Sequence, residues 1–117
     1  MTHSSHIKPF RMNITRCENA VVLAIAGSVS MTDAQRLQEK LEELAAERVS
    51  VIVLDLKEMD FICSVGLGAI IVGHLKCRHH SGKVRLVSPV PSVRELLETT
   101  RLTKLFDIYD SVEEALT

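Results

Sequence analysis

Apolar residues are densest in the middle of the chain, where their spacing changes from that of a strand to that of a helix. Four consecutive apolar residues, 51–54, predict a strand covered on both faces, as in a parallel sheet, and Asp55 and Leu56 close it. We expect a loop over 57–63 and an apolar helix over about 64–80. The remaining elements are arranged around this strand, loop and helix.

The flanking segments carry further strand and helix patterns. Residues 10–16 alternate apolar with polar side chains and residues 20–26 are apolar, which predicts a hairpin that ends at Gly27. From Ala34 to Ala45 apolar residues recur at helical spacing, and we interpret the charges on the opposite face as solvated. Four elements follow: a strand at 83–87, a helix that begins near Ser92, a strand at 105–109 and a helical turn that begins at Ser111.

Hydroxyl side chains stand at the expected helix starts, where an oxygen can accept from a free backbone N–H group. Ser30 or Thr32 begins the first helix and Ser64 begins the second, while Gly82 ends the second. Capping-box spacing occurs in three pairs: Thr32 with Gln35, Ser92 with Glu95, and Ser111 with Glu114.

The resulting order is β-β-α-β-α-β-α-β-α, which defines the expected fold class. Strands that alternate with helices imply right-handed crossovers and a mostly parallel sheet, and the first hairpin adds an antiparallel edge. We therefore expect a single α/β domain with a mixed sheet.

Composition narrows the possible functions. The chain has 117 residues, 46% hydrophobic and 25% charged, with a net charge of -1, which suits one globular domain. We expect residues 1–8, which are polar, to form a flexible N-terminal tail and residues 9–117 to form the domain. Near-neutral charge and few aromatic residues argue against a nucleic-acid partner, and no apolar run is long enough for membrane insertion.

The cysteine and histidine residues do not predict a metal site. The three cysteines, Cys17, Cys63 and Cys77, are odd in number and lack CxxC spacing, which is typical of free thiols in the cytoplasm. His74 and Cys77 could share a helix face, but a zinc site needs about four ligands and no remote pair stands out. We favour solvated histidines near a helix end, with no metal and no cofactor.

No motif supports catalysis or nucleotide binding strongly. Gly66 and Gly68 begin a dinucleotide pattern, but Ile71 stands where its third glycine belongs. Gly68 and Gly73 have P-loop spacing without the lysine. No histidine lies in the loops around the central serine, so we expect that the protein is not an enzyme.

Ser64 is the candidate site. A serine at a helix start lies at the positive end of the macrodipole, where an oxyanion attached to it would be stabilised. The alternative is that Ser64 is only a capping residue.

Several motifs together resemble the STAS domain of bacterial anti-sigma factor antagonists. Asp55-Leu56, followed by residues 61–68 (Phe-Ile-Cys-Ser-Val-Gly-Leu-Gly), is similar to the family signature, and Gly27 matches the loop before the first helix. Residues 105–116 resemble the family's C-terminal ending, so the resemblance extends over nearly the whole chain. It implies a four- or five-stranded sheet with helices mainly on one side.

The resemblance also implies a function. In this family an anti-sigma factor, itself an ATP-dependent serine kinase, phosphorylates the serine at the position of Ser64. The unphosphorylated protein binds the kinase and frees a sigma factor, and a phosphatase resets the switch. We expect a cytoplasmic protein, monomeric or weakly dimeric. Its expected partner surface comprises Ser28, Ser30, Met31, Thr32, Ile62, Cys63, Ser64, Val65, Gly66 and Leu67.

Three positions depart from the family pattern. Cys63 and Ser30 stand where the family often has aspartate, and Val65 replaces a hydroxyl residue. These differences leave open a STAS module that only docks, for example beside a lipid-transport ATPase, or one that binds a small ligand or nucleotide. Ser28, Ser30 and Thr32 could also be simple loop and capping residues.

Overall fold

The computed structural model describes residues 8–117, which form one five-stranded sheet with four helices. The predicted N-terminal tail therefore lies almost entirely outside the described residues. The elements in chain order are β1 (Arg11–Cys17), β2 (Ala20–Val29), α1 (Met31–Ala46), β3 (Val51–Ile62), α2 (Ser64–Arg78), β4 (Lys83–Val87), α3 (Pro91–Thr99), a 3-10 turn (Leu102–Lys104), β5 (Asp107–Tyr109) and α4 (Val112–Leu116).

The strands lie in the sheet in chain order, β1-β2-β3-β4-β5. The hairpin β1–β2 is antiparallel, and the other three pairs are parallel. The predicted α/β class, element order and mixed sheet are thereby confirmed. Because the parallel strands share one direction, their carboxyl ends meet at one edge of the sheet, and this edge carries the starts of α1 and α2.

Alternation along the strands divides the core between the two faces of the sheet. Ile52 and Leu54 point into the larger cluster, which contains the buried faces of α1, α2 and α3. Val53, between them, points to the other face, where it packs with Ala115 of α4. Three helices thus cover one face and the short α4 covers part of the other, as expected. Arg85 holds α4 in place, since its Nη1 donates to the Ala115 carbonyl at 2.6 Å.

The predicted loop at 57–63 is wrong, because β3 continues to Ile62. Its second half pairs with the end of β2, which itself runs past Gly27 to Val29, and the register shifts twice along this pairing. The charged residues at 57, 58 and 60 are exposed, whereas Met59 and Ile62 are buried in the core. Gly27 has φ +83°, and a Cβ there would lie 2.1 Å from the Pro9 carbonyl oxygen. Glycine is needed there because the incoming chain crosses so closely.

Two of the predicted capping residues also need correction. Ser30, not Thr32, caps α1, and it forms a capping box with Asp33, not Gln35. Helix α3 begins after Val90 with Pro91 in its first turn and no side-chain cap, so Ser92 does not cap it.

The C-terminal elements agree with the expectations in part. Ser111 caps α4 by accepting from the Glu114 N–H at 3.1 Å, as predicted. At the end of α2 the left-handed residue is Ser81, with φ 67°, and Gly82 instead lies close to the Val49 carbonyl. The last strand is shorter than predicted, since the 3-10 turn and Phe106 precede it. No helix within residues 8–117 is both long and apolar enough to cross a bilayer.

Candidate functional site at the start of α2

The chain turns from β3 into α2 at Cys63, which is the N-cap of the helix. The Cys63 Sγ accepts from the Gly66 N–H at 3.4 Å, and its carbonyl accepts from the Leu67 N–H at 3.0 Å. Its own N–H donates to the Val29 carbonyl at 3.1 Å, which ties the turn to the end of β2. The predicted capping role of Ser64 is therefore wrong: Ser64 is the first residue of the helix.

Ser64 is exposed, and its side chain makes no hydrogen bond to another residue within 8–117. The first backbone N–H groups of a helix have no partner within the helix, and the macrodipole is positive there. No acidic residue lies in the first turn of α2. The Ser64 hydroxyl is thus accessible to a partner, and a negative group placed on it would be stabilised locally.

Exposed apolar side chains lie beside this hydroxyl. Met31 and Val65 are 65% and 44% exposed, and both line one shallow groove between α1 and α2. The α1 side of that groove carries polar and acidic residues, including Glu39 and Glu42. Large exposed apolar side chains grouped in this way commonly mark an interaction surface. We call Met31 and Val65 the apolar patch.

The structure divides the predicted partner surface into an exposed set and a buried set. Ser30, Met31, Thr32, Ser64 and Val65 are exposed, while Ser28 and Cys63 are half-buried. Ile62, Gly66 and Leu67 are buried, so we correct their assignment: they support the surface from beneath and do not line it.

Gly66 shows how tightly this support is packed. A Cβ on Gly66 would lie 2.7 Å from Ile62 Cγ1 and 3.2 Å from Val29 Cγ1. A Cβ on Gly68, one half-turn later, would meet no atom within 4 Å. The first glycine lets the helix start pack against β2 and β3, whereas the second leaves the outer surface of the helix open.

Sequence reasoning missed part of the exposed apolar surface. Phe61 is 54% exposed near the end of β3, and Val72 and Leu75 are 36% and 50% exposed on α2. The signal was present in the pattern: α2 is apolar around most of its circumference, and one face alone can meet the core. The surplus apolar residues had to lie outside.

The histidine and cysteine cluster does not form a ligand set. His74 is buried and its Nδ1 accepts from the Val84 N–H at 3.2 Å, so the expectation of solvated histidines is wrong for His74, whereas His79 is exposed. Burial lowers the pKa of His74 and raises the pKa of Cys77. His80 contacts the Val49 carbonyl at 2.9 Å. Within 8–117 no three His, Cys, Asp or Glu side chains lie close enough to hold a metal ion.

Comparison with known proteins gives consistent results. The sequence profile of the STAS domain matches residues 11–115. The anti-sigma-F factor antagonist RsfB of Mycobacterium tuberculosis is 29% identical over 96 residues, which cover 82% of this chain and 78% of RsfB.

Solved structures share the fold. An anti-sigma factor antagonist from Mycobacterium paratuberculosis superposes with a TM-score of 0.83 at 24% identity, covering 92% of both chains. The unphosphorylated form of the anti-sigma factor antagonist SpoIIAA superposes with a TM-score of 0.80 at 19% identity, covering 92% of this chain and 93% of SpoIIAA.

Proposed function

This chain belongs to the STAS-domain family, and we propose that it is an anti-sigma factor antagonist that binds an anti-sigma factor serine kinase. The observation that carries the proposal is the exposed Ser64 hydroxyl at the first position of α2, beside the apolar patch. RsfB, whose sequence aligns over most of the chain, is named as an anti-sigma-F factor antagonist, which supports an anti-sigma factor as the partner. In this proposal the unphosphorylated protein holds the kinase and so releases a sigma factor.

Phosphorylation of Ser64 is the proposed off switch. A phosphoserine carries about -1.5 to -2 charges at neutral pH. The helix start can accommodate that charge in the free protein, so the fold need not change. In the complex the same charge would be buried between a partner and the apolar patch. Desolvation of that charge would then release the kinase, and a serine phosphatase would restore binding.

Cys63 strengthens the contrast between the two proposed states. With cysteine at the N-cap, the first turn of α2 carries no acidic side chain before modification. The first turn of α2 therefore changes from uncharged to strongly negative in one step. SpoIIAA, which shares the fold, has been solved in an unphosphorylated and a phosphorylated form, so the fold accommodates both states.

The test uses the purified full chain with a cognate anti-sigma factor kinase and ATP. Phosphate-affinity electrophoresis should show one phosphate on the wild type and none on Ser64→Ala. Ser92→Ala is the matched control, because Ser92 is also exposed in the first turn of a helix, and it should be phosphorylated like the wild type.

Binding is measured in parallel by calorimetry without ATP. Ser64→Ala should bind the kinase like the wild type, and Ser64→Asp should bind at least about tenfold more weakly, which corresponds to about 1.4 kcal/mol. Transfer to Ser64→Ala, or no transfer to the wild type, would refute the switch. Binding without transfer would instead identify a STAS module that only docks, the function that Cys63 and Ser30 in place of aspartate would favour.

A further inference from the structure

A second concave site lies at the opposite end of α2. A cleft of about 410 Å³ opens between the C-terminal turn of α2, the turn into β4 and the start of β5. Pockets of a few hundred Å³ are of the size that small ligands occupy. The side chains that matter below are His74, Arg78, Ser81, Lys83, Leu105 and Asp107.

His74 contributes a buried polar group to this cleft. The ring is 6% exposed and packs edge-on against Phe106, with the ring centroids 5.0 Å apart. Because Nδ1 accepts from the Val84 N–H, the proton of the neutral ring is assigned to Nε2. Nε2 makes no hydrogen bond to another residue within 8–117. It is therefore a donor held rigidly in a site where a ligand atom could accept from it.

The cleft is positively charged. Arg78 and Lys83 line it and form no ion pair within the described chain, and Asp107 supplies the single opposing charge. Burial lowers the pKa of His74, as do Arg78 and, to a smaller extent, Lys83, whereas Asp107 raises it. The ring is thus neutral at physiological pH, and the lining carries a net charge of about +1. Such a lining favours one negative group.

The C-terminal end of α2 repels an anion less than a helix end with free carbonyl groups would. The Cys77 carbonyl accepts from the N–H groups of His80 at 3.1 Å and Gly82 at 2.7 Å. The Arg78 carbonyl accepts from the Ser81 N–H at 3.1 Å. These bonds occupy carbonyl oxygens that would otherwise carry the negative end of the macrodipole into the cleft.

We propose that this cleft binds a small organic oxyanion, a carboxylate or phosphate carried on a compact apolar body. Arg78 and Lys83 would hold the charge, His74 Nε2 would donate to one oxygen, and Leu105 would contact the apolar body. His74 lies ten positions after Ser64, which is about 15 Å along the helix axis. The site is thus distinct from the proposed partner surface and does not depend on the proposed switch.

The test is a titration of the ¹⁵N-labelled full chain followed by NMR at constant ionic strength. Inorganic phosphate and acetate are used as separate probes, so that the two arms distinguish a phosphate from a carboxylate preference. We expect saturable shifts of the Val84 amide and of His74 Nε2, with a dissociation constant of about 1–10 mM for at least one probe, the range of weak ligands. Shifts that stay linear to 50 mM with both probes would overturn the proposal.

Two double variants separate a built site from general attraction of anions. Arg78→Gln with Lys83→Gln should weaken binding at least tenfold, and both residues are exposed, so the fold should persist. Arg94→Gln with Lys104→Gln removes two exposed cations that do not line the cleft, and binding should stay within twofold of the wild type. Equal loss in both pairs would overturn the proposal. Phosphoryl transfer to Ser64 is scored separately and should be unchanged in both.

Discussion

The two ends of α2 differ in their surface chemistry. At the amino end, the exposed Ser64 lies beside the exposed apolar side chains of Met31 and Val65, which line a shallow groove. The carboxyl end, near His74, is concave and lined by two cations, one carboxylate and a buried imidazole. Exposed apolar side chains of this kind commonly mark contact with another macromolecule, whereas a charged cleft is complementary to a small ion. One helix therefore presents two kinds of site that can be tested independently.

The amino end of α2 is held in place by close packing of Gly66 against β2 and β3, and Gly66→Ala is the strongest test of this packing. The added methyl group would lie 2.7 Å from Ile62 Cγ1, so the helix start or β3 must shift. We expect the free energy of unfolding to fall by about 2 kcal/mol, within the usual range for overpacking. Urea denaturation followed by circular dichroism measures this.

Gly68→Ala is the matched control for that variant. Its methyl group would meet no atom within 4 Å, so only helix propensity changes. We expect a gain of up to about 1 kcal/mol. A similar decrease in the free energy of unfolding in both variants would contradict the close packing of Gly66 against β2 and β3.

At the carboxyl end, acid should reduce stability through His74. Burial and Arg78 lower the pKa of His74 in the folded protein, although Asp107 opposes this, so the unfolded chain binds the extra proton more readily. The contribution of neutral His74 to the free energy of unfolding is therefore complete above about pH 6.5, and it is lost as the pH falls through the folded-state pKa. One proton gives a slope of at most about 1.4 kcal/mol per pH unit.

The measurement compares unfolding curves at several pH values between 7.5 and 5. His74→Asn can still accept from the Val84 N–H, because its amide oxygen is attached at the same carbon as Nδ1, but it cannot titrate, so this part of the slope should disappear. His79→Asn, at an exposed neighbouring histidine, should retain the wild-type slope. A wild-type slope in His74→Asn would assign the acid sensitivity to other groups.

Substitutions of two serines near the proposed docking surface should differ in their effect on protein stability, because one serine caps a helix and the other only exposes its hydroxyl group. Ser30→Ala removes the capping box with Asp33, and we expect a loss of about 1 kcal/mol, typical for an N-cap. Ser64→Ala removes an exposed hydroxyl with no partner within 8–117, and the change should stay within about 0.5 kcal/mol. Thermal or urea unfolding of both variants is sufficient. Equal losses would contradict the geometry of the site.

The smallest expected effect comes from the cap of α2. Cys63 Sγ accepts from the Gly66 N–H at the long distance of 3.4 Å, and aspartate is a stronger N-cap that also complements the macrodipole. We expect Cys63→Asp to raise the free energy of unfolding by about 0.5–1 kcal/mol. A decrease in stability would show that the half-buried position requires the thiol for packing.

The strand and helix order was predictable because the two hydrophobic periods are clear over most of the chain. The continuation of β3 was not, because its register with β2 shifts twice and places consecutive charges, Lys57 and Glu58, in solvent. Helix starts were misplaced by one or two residues, since several hydroxyl side chains fit a capping register and cysteine is not an expected cap. The length of β3 and the first residues of these helices depend on contacts between segments that are distant in the sequence.

The candidate site was predictable in outline and incomplete in detail. The choice of Ser64 as the candidate site follows from its position at the start of an apolar helix. Its exposure could not be predicted in the same way, because it depends on which face of α2 meets the core. Leu67 and Cys77 belong to the buried stripe of that helix, so the burial of Leu67 could have been anticipated from spacing. The cleft near His74 could not have been anticipated, because part of its lining comes from β5, which lies more than thirty residues later in the sequence.

The crossing of the chain at Gly27 has a practical consequence for labelling. The Ser28 N–H donates to the Lys8 carbonyl at 3.2 Å, and Ser28 pairs with Phe61, so the start of the described chain lies beside the proposed docking surface. The last helix lies on the opposite face of the sheet, held by Arg85. A fluorophore or surface-immobilisation handle joined after Thr117 should therefore leave docking unobstructed.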